Sequence, residues 1–241
     1  MKRGTSVLVA TLLALPMLVV LIGLGVWQLQ RLAVKQEIIA FRETAFSAAA
    51  VELPARAGAS PMALAWRRVH VTGRFDHANE FHLWSLRDGQ PGYEVLTPLT
   101  RTDNAPGQVL LVDRGWVPVN RKDIATRAES AVAGEVKVQG FVRVDLDARG
   151  PVTPVNSPAT NTWYSVDYAA MGRHAGLYLR ELVVVADATP TPGGLPIGRA
   201  ELPPIPNRHL EYALTWFSLA GALAVIYVLA VRRQLRPAGP A

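Results

Sequence analysis

The chain contains no cysteine among its 241 residues. That excludes a thiolate copper site, disulfide exchange and a cysteine nucleophile. It suits an extracytoplasmic domain that needs no disulfide, and equally a cytoplasmic one. Methionine occurs only at Met1, Met17, Met62 and Met171, which leaves no methionine copper relay. No G-x-S-x-G, P-loop or dinucleotide fingerprint occurs either. Charge of one sign is also scarcer than it first looks. The formal net charge is +6, but Lys2, Arg3, Arg232, Arg233 and Arg236 lie outside the apolar termini and supply five of the 25 basic groups. The remaining 20 basic side chains face 19 acidic ones, a net of +1, so a basic stripe for nucleic acid is excluded.

What the chain does have is long uncharged runs at both ends. Ser6 to Leu29 is 24 residues without a charged side chain, and Tyr212 to Val231 is 20 more. Each is long enough for a hydrocarbon core of roughly 30 Å. A signal peptide would have a shorter apolar core of roughly 7 to 15 residues and a small-x-small cleavage site; the first run has neither, and an uncleaved anchor is expected. Pro16, Gly23 and Gly25 are tolerated in a membrane span where a partner helix lies against them, and Ala220, Gly221 and Ala224 offer the matching small contacts. The expectation is a membrane α+β protein. Residues 6–29 and 210–231 form a two-helix transmembrane hairpin in contact with lipid, and residues 31–208 form a mainly antiparallel β extramembrane domain with short helices. Two spans put both termini on one side, but the tails and the loop ends carry five basic residues each (Arg31, Lys35, Arg42, Arg199 and Arg208 in the loop), so charge does not choose the side. Only five residues precede the first run, too few for a mitochondrial presequence, and a bacterial plasma membrane is the expected location.

Within the domain, residues 31–50 read as a helix continuing outward from the membrane, ended by Pro54 and the stretch to Pro61. From Trp66 the period becomes two. Val69, Val71 and Phe75 fall on one face of Arg68–Phe75, with Arg68, His70, Thr72 and Arg74 on the other. The same Val-x-Val-x-Gly pattern returns at Val136–Gly140, extended by Val142 and Val144, which predicts two matching antiparallel strands. Further strands are predicted at 80–86, 93–99, 108–113 and 180–186. Short helices are predicted after Asn120 or Asp123 and over 167–173, and 189–206, with six prolines, as an extended connector.

Three groups of residues invite a chemical reading. His77, Glu80 and His82 can be drawn as a metal cluster, but on a continuous strand positions 77 and 82 point to opposite faces, and a polar turn and strand edge is the better reading. Asp145 and Asp147 read as a solvated turn. The entry to the second span differs, because Asn207 is placed to cap it, Glu211 suits its positive end, and it carries His209 and Trp216. These two are seven residues apart, so they line one helix face roughly 10 Å apart along the axis. Ala213 and Ala220 share that face and leave room for a flat macrocycle. Neutral imidazole is a common axial ligand of haem iron, and an indole can stack on a porphyrin. From the residues alone, a tryptophan anchoring at the interface with His209 in the headgroup zone is the better reading, since an interfacial His or Trp is ordinary.

The order of motifs resembles the Surfeit locus protein 1 family of cytochrome c oxidase assembly factors along nearly the whole chain. Gly25-Val-Trp-Gln-Leu-Gln-Arg31 with Lys35 is similar to the family's signature at the end of the first span. Trp66-Arg-Arg-Val69 with Gly73 and Phe75, and Gly89-Gln-Pro-Gly-Tyr-Glu-Val-Leu-Thr-Pro-Leu99, resemble its first strands. Asp113-Arg-Gly-Trp-Val-Pro118 resembles its central motif, in which Asn is more usual at the first position. Asn156-Ser-Pro158, Asn161, Trp163 and Asp167 follow in order, and Asn207-Arg-His-Leu-Glu-Tyr-Ala-Leu-Thr-Trp-Phe217 is similar to the closing motif.

The resemblance implies a non-enzymatic chaperone of respiratory-chain biogenesis that binds haem a and assists its insertion into the catalytic subunit of the oxidase, working beside the haem a synthesis machinery. It implies a bacterial inner-membrane protein with both termini cytoplasmic and the central domain periplasmic. The family's haem-linked positions fall on His209, as iron ligand, and Trp216. Trp27, Arg31, Tyr93, Arg114, Gly115, Trp116 and Arg208 become candidate partner or haem-edge contacts, with Arg31 or Arg208 suited to propionates. A cofactor-free scaffold that stabilises an oxidase assembly intermediate is the alternative within the same resemblance.

Overall fold

The computed structural model describes residues 2–56, 61–144, 150 and 153–235. Its elements are α1 (Lys2–Ser47), β1 (Val51–Glu52), β2 (Arg68–Phe75), β3 (Phe81–Arg87), β4 (Gln90–Arg101), β5 (Val109–Pro118), β6 (Val136–Arg143), α2 (Tyr168–Ala175), β7 (Leu179–Ala186) and α3 (His209–Leu235). The chain divides into two compact units, Met1–Phe41 with Pro204–Ala241, and Arg42–Pro203.

The first unit is a pair of helices, each long and apolar enough to cross a membrane. Their outward side chains include Leu12, Leu13, Val19, Ile226 and Leu229, all at least 60 % exposed. Such a surface is stable against hydrocarbon and not against water. The helices meet in an antiparallel register. The hydroxyls of Thr11 and Tyr227 are 2.7 Å apart, and at the other end the His209 imidazole meets the Gln28 amide at 2.7 Å. The 17 residues from Thr11 to Gln28 rise roughly 26 Å, close to the depth of a hydrocarbon core. Between these pairs the Phe217 ring lies so close to Gly25 that a Cβ there would sit 2.6 Å from it. Gly25 is thus the small residue that admits the partner helix. Gly23 and Gly221, expected to share that role, have open space where a Cβ would stand.

The second unit is built on one seven-stranded sheet in the order β1-β2-β6-β7-β5-β4-β3, closed by an additional pairing of β2 with β4. The two expected Val-x-Val-x-Gly strands are present, and they pair with each other: β2 and β6 are antiparallel, with Val69 opposite Gly140 and Val71 opposite Val138. Two pairings are parallel, β1 with β2 and β5 with β7. One apolar cluster gathers Val69, Val71, Leu99, Leu110, Val112, Val142, Leu182 and Val184. A second, with Phe81, Leu96, Leu111, Phe141, Trp163, Met171 and Val183, takes in α2 and the segment before it. Since alternate residues of β5 and β7 enter different clusters, both strands are buried on both faces. Trp163 is fully buried, edge-on to Phe81 at 5.6 Å, and its indole N–H donates to Asn161 Oδ1 at 2.9 Å.

The helix expected over 167–173 is present as α2, capped by Asp167, which accepts from the Ala170 N–H at 2.8 Å. Of the expected caps Asn120 and Asp123, it is Asp123 that accepts from Ala125 N–H and opens a 3₁₀ stretch, Ile124–Ser130. Asn207 does not cap α3. The helix begins at His209, the Arg208 carbonyl accepts from Tyr212 N–H, and Asn207 Oδ1 is buried without a hydrogen-bond partner, because Asn207 lies one residue too early. The 189–206 stretch is more than a connector. Ile197 exchanges hydrogen bonds with Trp116 on β5 at 3.0 and 2.9 Å, fastening a strap across the sheet.

Candidate functional site

His209 occupies the first helical position of α3, half-buried, and Trp216 lies two turns on, also half-buried. Both belong to the face turned to α1, since His209 bonds Gln28 and Ala213 and Ala220 are 1 and 5 % exposed. The alanines are filled against by helix packing, so any room for a macrocycle is at the outer end of the pair and not beside them. The imidazole Nδ1 is the atom that meets Gln28 Oε1; Nε2 has no hydrogen-bond partner among the described residues. Trp27, Arg31 and Arg208 of the same unit are exposed. An imidazole with an open nitrogen among the described residues, an indole on the same face and two exposed guanidiniums are a donor set that fits an iron porphyrin with propionates.

The remaining candidates belong to the second unit, and all four are interior. Arg114 is 6 % exposed, donates to the Ser130 carbonyl at 2.5 Å, and lies 5.0 Å over the Phe75 ring. Gly115 has a φ of +119°, and a Cβ there would meet the Ile197 carbonyl oxygen at 2.1 Å. Trp116, 6 % exposed, packs over Gly92. Tyr93 is 8 % exposed, edge-on to Trp84 at 5.4 Å, with the Lys122 ammonium 4.8 Å from its ring.

His77 and His82 line one cavity of about 480 Å³ with Glu80, Lys122 and Asn161. The expectation that they point to opposite faces fails because a 3₁₀ turn, His77–Asn79, interrupts the strand before β3. Glu80 is held by Arg127 and by His82 Nε2 at 3.2 Å, and His77 Nε2 meets the Val132 carbonyl at 3.1 Å. Among the described residues no group of three or more His, Cys, Asp or Glu side chains is arranged to hold a metal. Asp145 and Asp147 lie outside the described residues.

The aspartate that stands where the central motif more usually has Asn is chemically distinctive, which its sequence context does not reveal. Asp113 is fully buried; its Oδ1 accepts from Gly115 N–H at 3.1 Å, and its Oδ2 has no hydrogen-bond partner, with Arg143 3.8 Å away. Burial first, and then the nearby Glu94 carboxylate, push its carboxyl up to about 7. Glu94 itself is paired with Arg199 at 2.6 Å. The stability consequence has a definite sign. From about pH 4 to about 7 the folded chain keeps a proton that the unfolded chain has released, so stability contributed by this group falls as pH rises across that window. Asp113→Asn keeps the acceptor and removes the titration. Denaturant unfolding at pH 5 and pH 8 is expected to show a smaller loss of stability in the variant than in the wild type, and a more stable variant at pH 8. Equal losses would show that Asp113 is ionised at both values.

Fold and site together define a membrane protein: two helices long and apolar enough to cross a membrane flank a barrel-like β domain in the sequence, with an imidazole at the start of the second helix. A sequence profile of the SURF1 family matches residues 15–221. The Surfeit locus protein 1 of Mus musculus is 34% identical over 223 residues, covering 85% of this chain and 70% of its own. A SURF1-like protein of Monosiga brevicollis is 34% identical over 246 residues, covering 96% and 90%, and one of Rickettsia felis is 31% identical over 216 residues, covering 87% and 91%. The chain belongs to the SURF1 family.

Proposed function

We propose that this chain is a cytochrome c oxidase assembly factor that binds haem a through His209 and assists its insertion into the catalytic oxidase subunit. Membership of a family known as cytochrome c oxidase assembly factors supports the assembly role. The observation that carries the haem reading is the half-buried imidazole of His209, its Nε2 without a protein partner among the described residues, on the same helix face as the Trp216 indole. Neutral imidazole nitrogen is the common protein ligand of haem iron, and haem a supplies a redox-active iron centre that the chain's own side chains lack. Trp216 offers an aromatic face, and Arg31 and Arg208 suit the propionates. In this reading the chain is no enzyme; its partners are the oxidase catalytic subunit, the haem a synthesis machinery and lipid. Its β domain is periplasmic and both termini are cytoplasmic at a bacterial inner membrane.

Full-length protein purified from cells that make haem a is expected to carry a haem absorption spectrum, and His209→Ala to lose most of it. A spectrum unchanged in the variant removes His209 from the ligand role. Wild-type protein that brings down oxidase subunits without pigment, and still does so as His209→Ala, favours the cofactor-free scaffold.

A further inference from the structure

We infer that Gln28 is the positioning residue for His209: by accepting the Nδ1 proton it fixes the imidazole tautomer and presents Nε2 to a metal. The inference rests on the reading of His209 as an iron ligand and assigns a second residue, on the other helix, to the same site.

Gln28 is 8 % exposed in a largely apolar stretch of α1. An amide buried at the edge of a hydrocarbon layer is costly unless it is hydrogen-bonded. Its Oε1 lies 2.7 Å from His209 Nδ1, across the helix pair and 181 residues away in sequence. An amide oxygen can only accept, so the proton of the neutral ring is on Nδ1 and the lone pair is on Nε2. That is the arrangement in metal proteins whose ligand histidine gives its second N–H to an oxygen acceptor, which sets ring orientation and raises ligand basicity. Free imidazole side chains favour the opposite tautomer, with the proton on Nε2, so without an acceptor at Nδ1 the ligating form becomes the minor one. The contact depends on how closely the helices approach. One turn from Gln28, Gly25 admits the Phe217 ring, and this close packing brings the amide within reach of the imidazole. Trp27, the neighbour of Gln28, is 51 % exposed, and its indole N–H only donates, so it cannot serve as the acceptor.

Two measurements on full-length protein in detergent test the assignment. In haem-free protein, ring ¹⁵N shifts of His209 are expected to report an Nδ1–H imidazole in the wild type and a shift toward the Nε2–H form in Gln28→Leu. In titrations with ferric protoporphyrin, Gln28→Leu is expected to weaken binding on the order of 10- to 100-fold, the usual cost of losing such a supporting partner. Its ferrous iron–histidine stretch, read by resonance Raman, is expected to fall. Gln28→Glu keeps an acceptor, and is expected to retain affinity and raise that stretch. If Gln28→Leu folds poorly, the Gln28→Glu stretch decides alone, since a merely structural side chain leaves it unchanged. Wild-type tautomer, affinity and stretch in Gln28→Leu would overturn the assignment. His209→Ala separates the two failures. Loss of porphyrin binding there with no effect at Gln28 sinks this inference only, whereas undiminished binding in His209→Ala sinks the ligand reading on which it rests.

Discussion

Arg101→Met is expected to destabilise the β domain by about 3 to 5 kcal/mol, the range for removing one partner of a buried ion pair. For a domain of this size that lowers the thermal midpoint by roughly 10 °C. Arg101 is the last residue of β4 and is 1 % exposed. Its guanidinium donates to the carbonyl of Leu53 at 2.6 Å and that of Pro54 at 3.3 Å, to Gln108 Oε1 at 3.0 Å, and to the Asp103 carboxylate at 2.7 Å. One side chain therefore ties the segment carrying β1 and the loop between β4 and β5 to the end of the barrel. Methionine fills much of the volume but takes the guanidinium from the Leu53 carbonyl and the cation from Asp103, while Arg180 still donates to the Pro54 carbonyl and Gln108; each unmade buried bond costs about 1 to 3 kcal/mol. Arg101→Lys keeps the charge but not the planar fork, and is expected to recover less than half of the loss. The carboxyl of Asp103 gives an independent reading. Burial opposes its charged form, but the Arg101 and Thr72 hydrogen bonds outweigh burial and hold it below its ordinary value. A depressed carboxyl contributes stability above its unfolded pKa and loses it as pH falls through the folded one. Wild type is thus expected to lose this increment in acid, and Arg101→Met to lack it at neutral pH. Thermal unfolding by circular dichroism at pH 7 and in acid measures both; a midpoint within 2 °C of wild type at pH 7 would refute the anchoring role.

Arg101 also marks where the sequence stops being readable. β2 is legible to the residue, because it has one buried and one wet face and its side chains alternate. β4 and β5 run longer than the predicted 93–99 and 108–113. Their extra residues, Gln90–Gly92, Thr100–Arg101 and Arg114–Pro118, include glycine, proline and arginine and carry no period. Alternation is erased where a strand is buried on both faces, and Arg101 and Arg114 are buried with it. Arg114 donates to the Ser130 backbone carbonyl, which leaves no complementary charge in the sequence to reveal it, and the Asp103 that pairs with Arg101 reads as an ordinary turn residue. β1 is two residues long and parallel to β2, too short for any pattern.

The helix pair shows the same division. His209 and Trp216 share a face by helical spacing alone, and that is visible in one segment. The use of Ala213 and Ala220 is not, since small residues suit both a ligand and a neighbouring helix, and the register of α1 decides for the helix. Gln28 stood inside a recognisable motif, yet its partner lies at the far end of the chain. No local spacing pairs position 28 with 209; only the antiparallel register does.

Gly115→Ala is expected to cost roughly 3 kcal/mol or more, for two reasons that a control separates. The first is backbone conformation, since a side chain at a positive φ of this kind costs about 1 to 3 kcal/mol. The second is overlap: the new Cβ would stand 2.1 Å from the Ile197 carbonyl oxygen and 2.6 Å from Gly198 N. To relieve it the strap must lift from β5. That breaks the two Trp116–Ile197 hydrogen bonds and the two that Arg87 donates to the Ile197 and Gly198 carbonyls at 2.8 and 3.3 Å, each bond contributing about 1 kcal/mol. Lifting the strap also admits water to Trp116 and Asp113, so the variant is expected to be cut faster by protease between Thr191 and Arg199. Its stability should fall less between pH 5 and pH 8, because relaxed burial lowers the Asp113 carboxyl toward its ordinary value. Gly107→Ala supplies the control, with a φ of +80° and nothing within 4 Å of the new Cβ. It pays for conformation alone, about 1 kcal/mol relative to glycine. If Gly115→Ala costs no more than Gly107→Ala and leaves the strap as resistant to protease as in the wild type, the glycine is not required by the strap. In that case Asp113-Arg-Gly-Trp returns to the list of surfaces open to a partner.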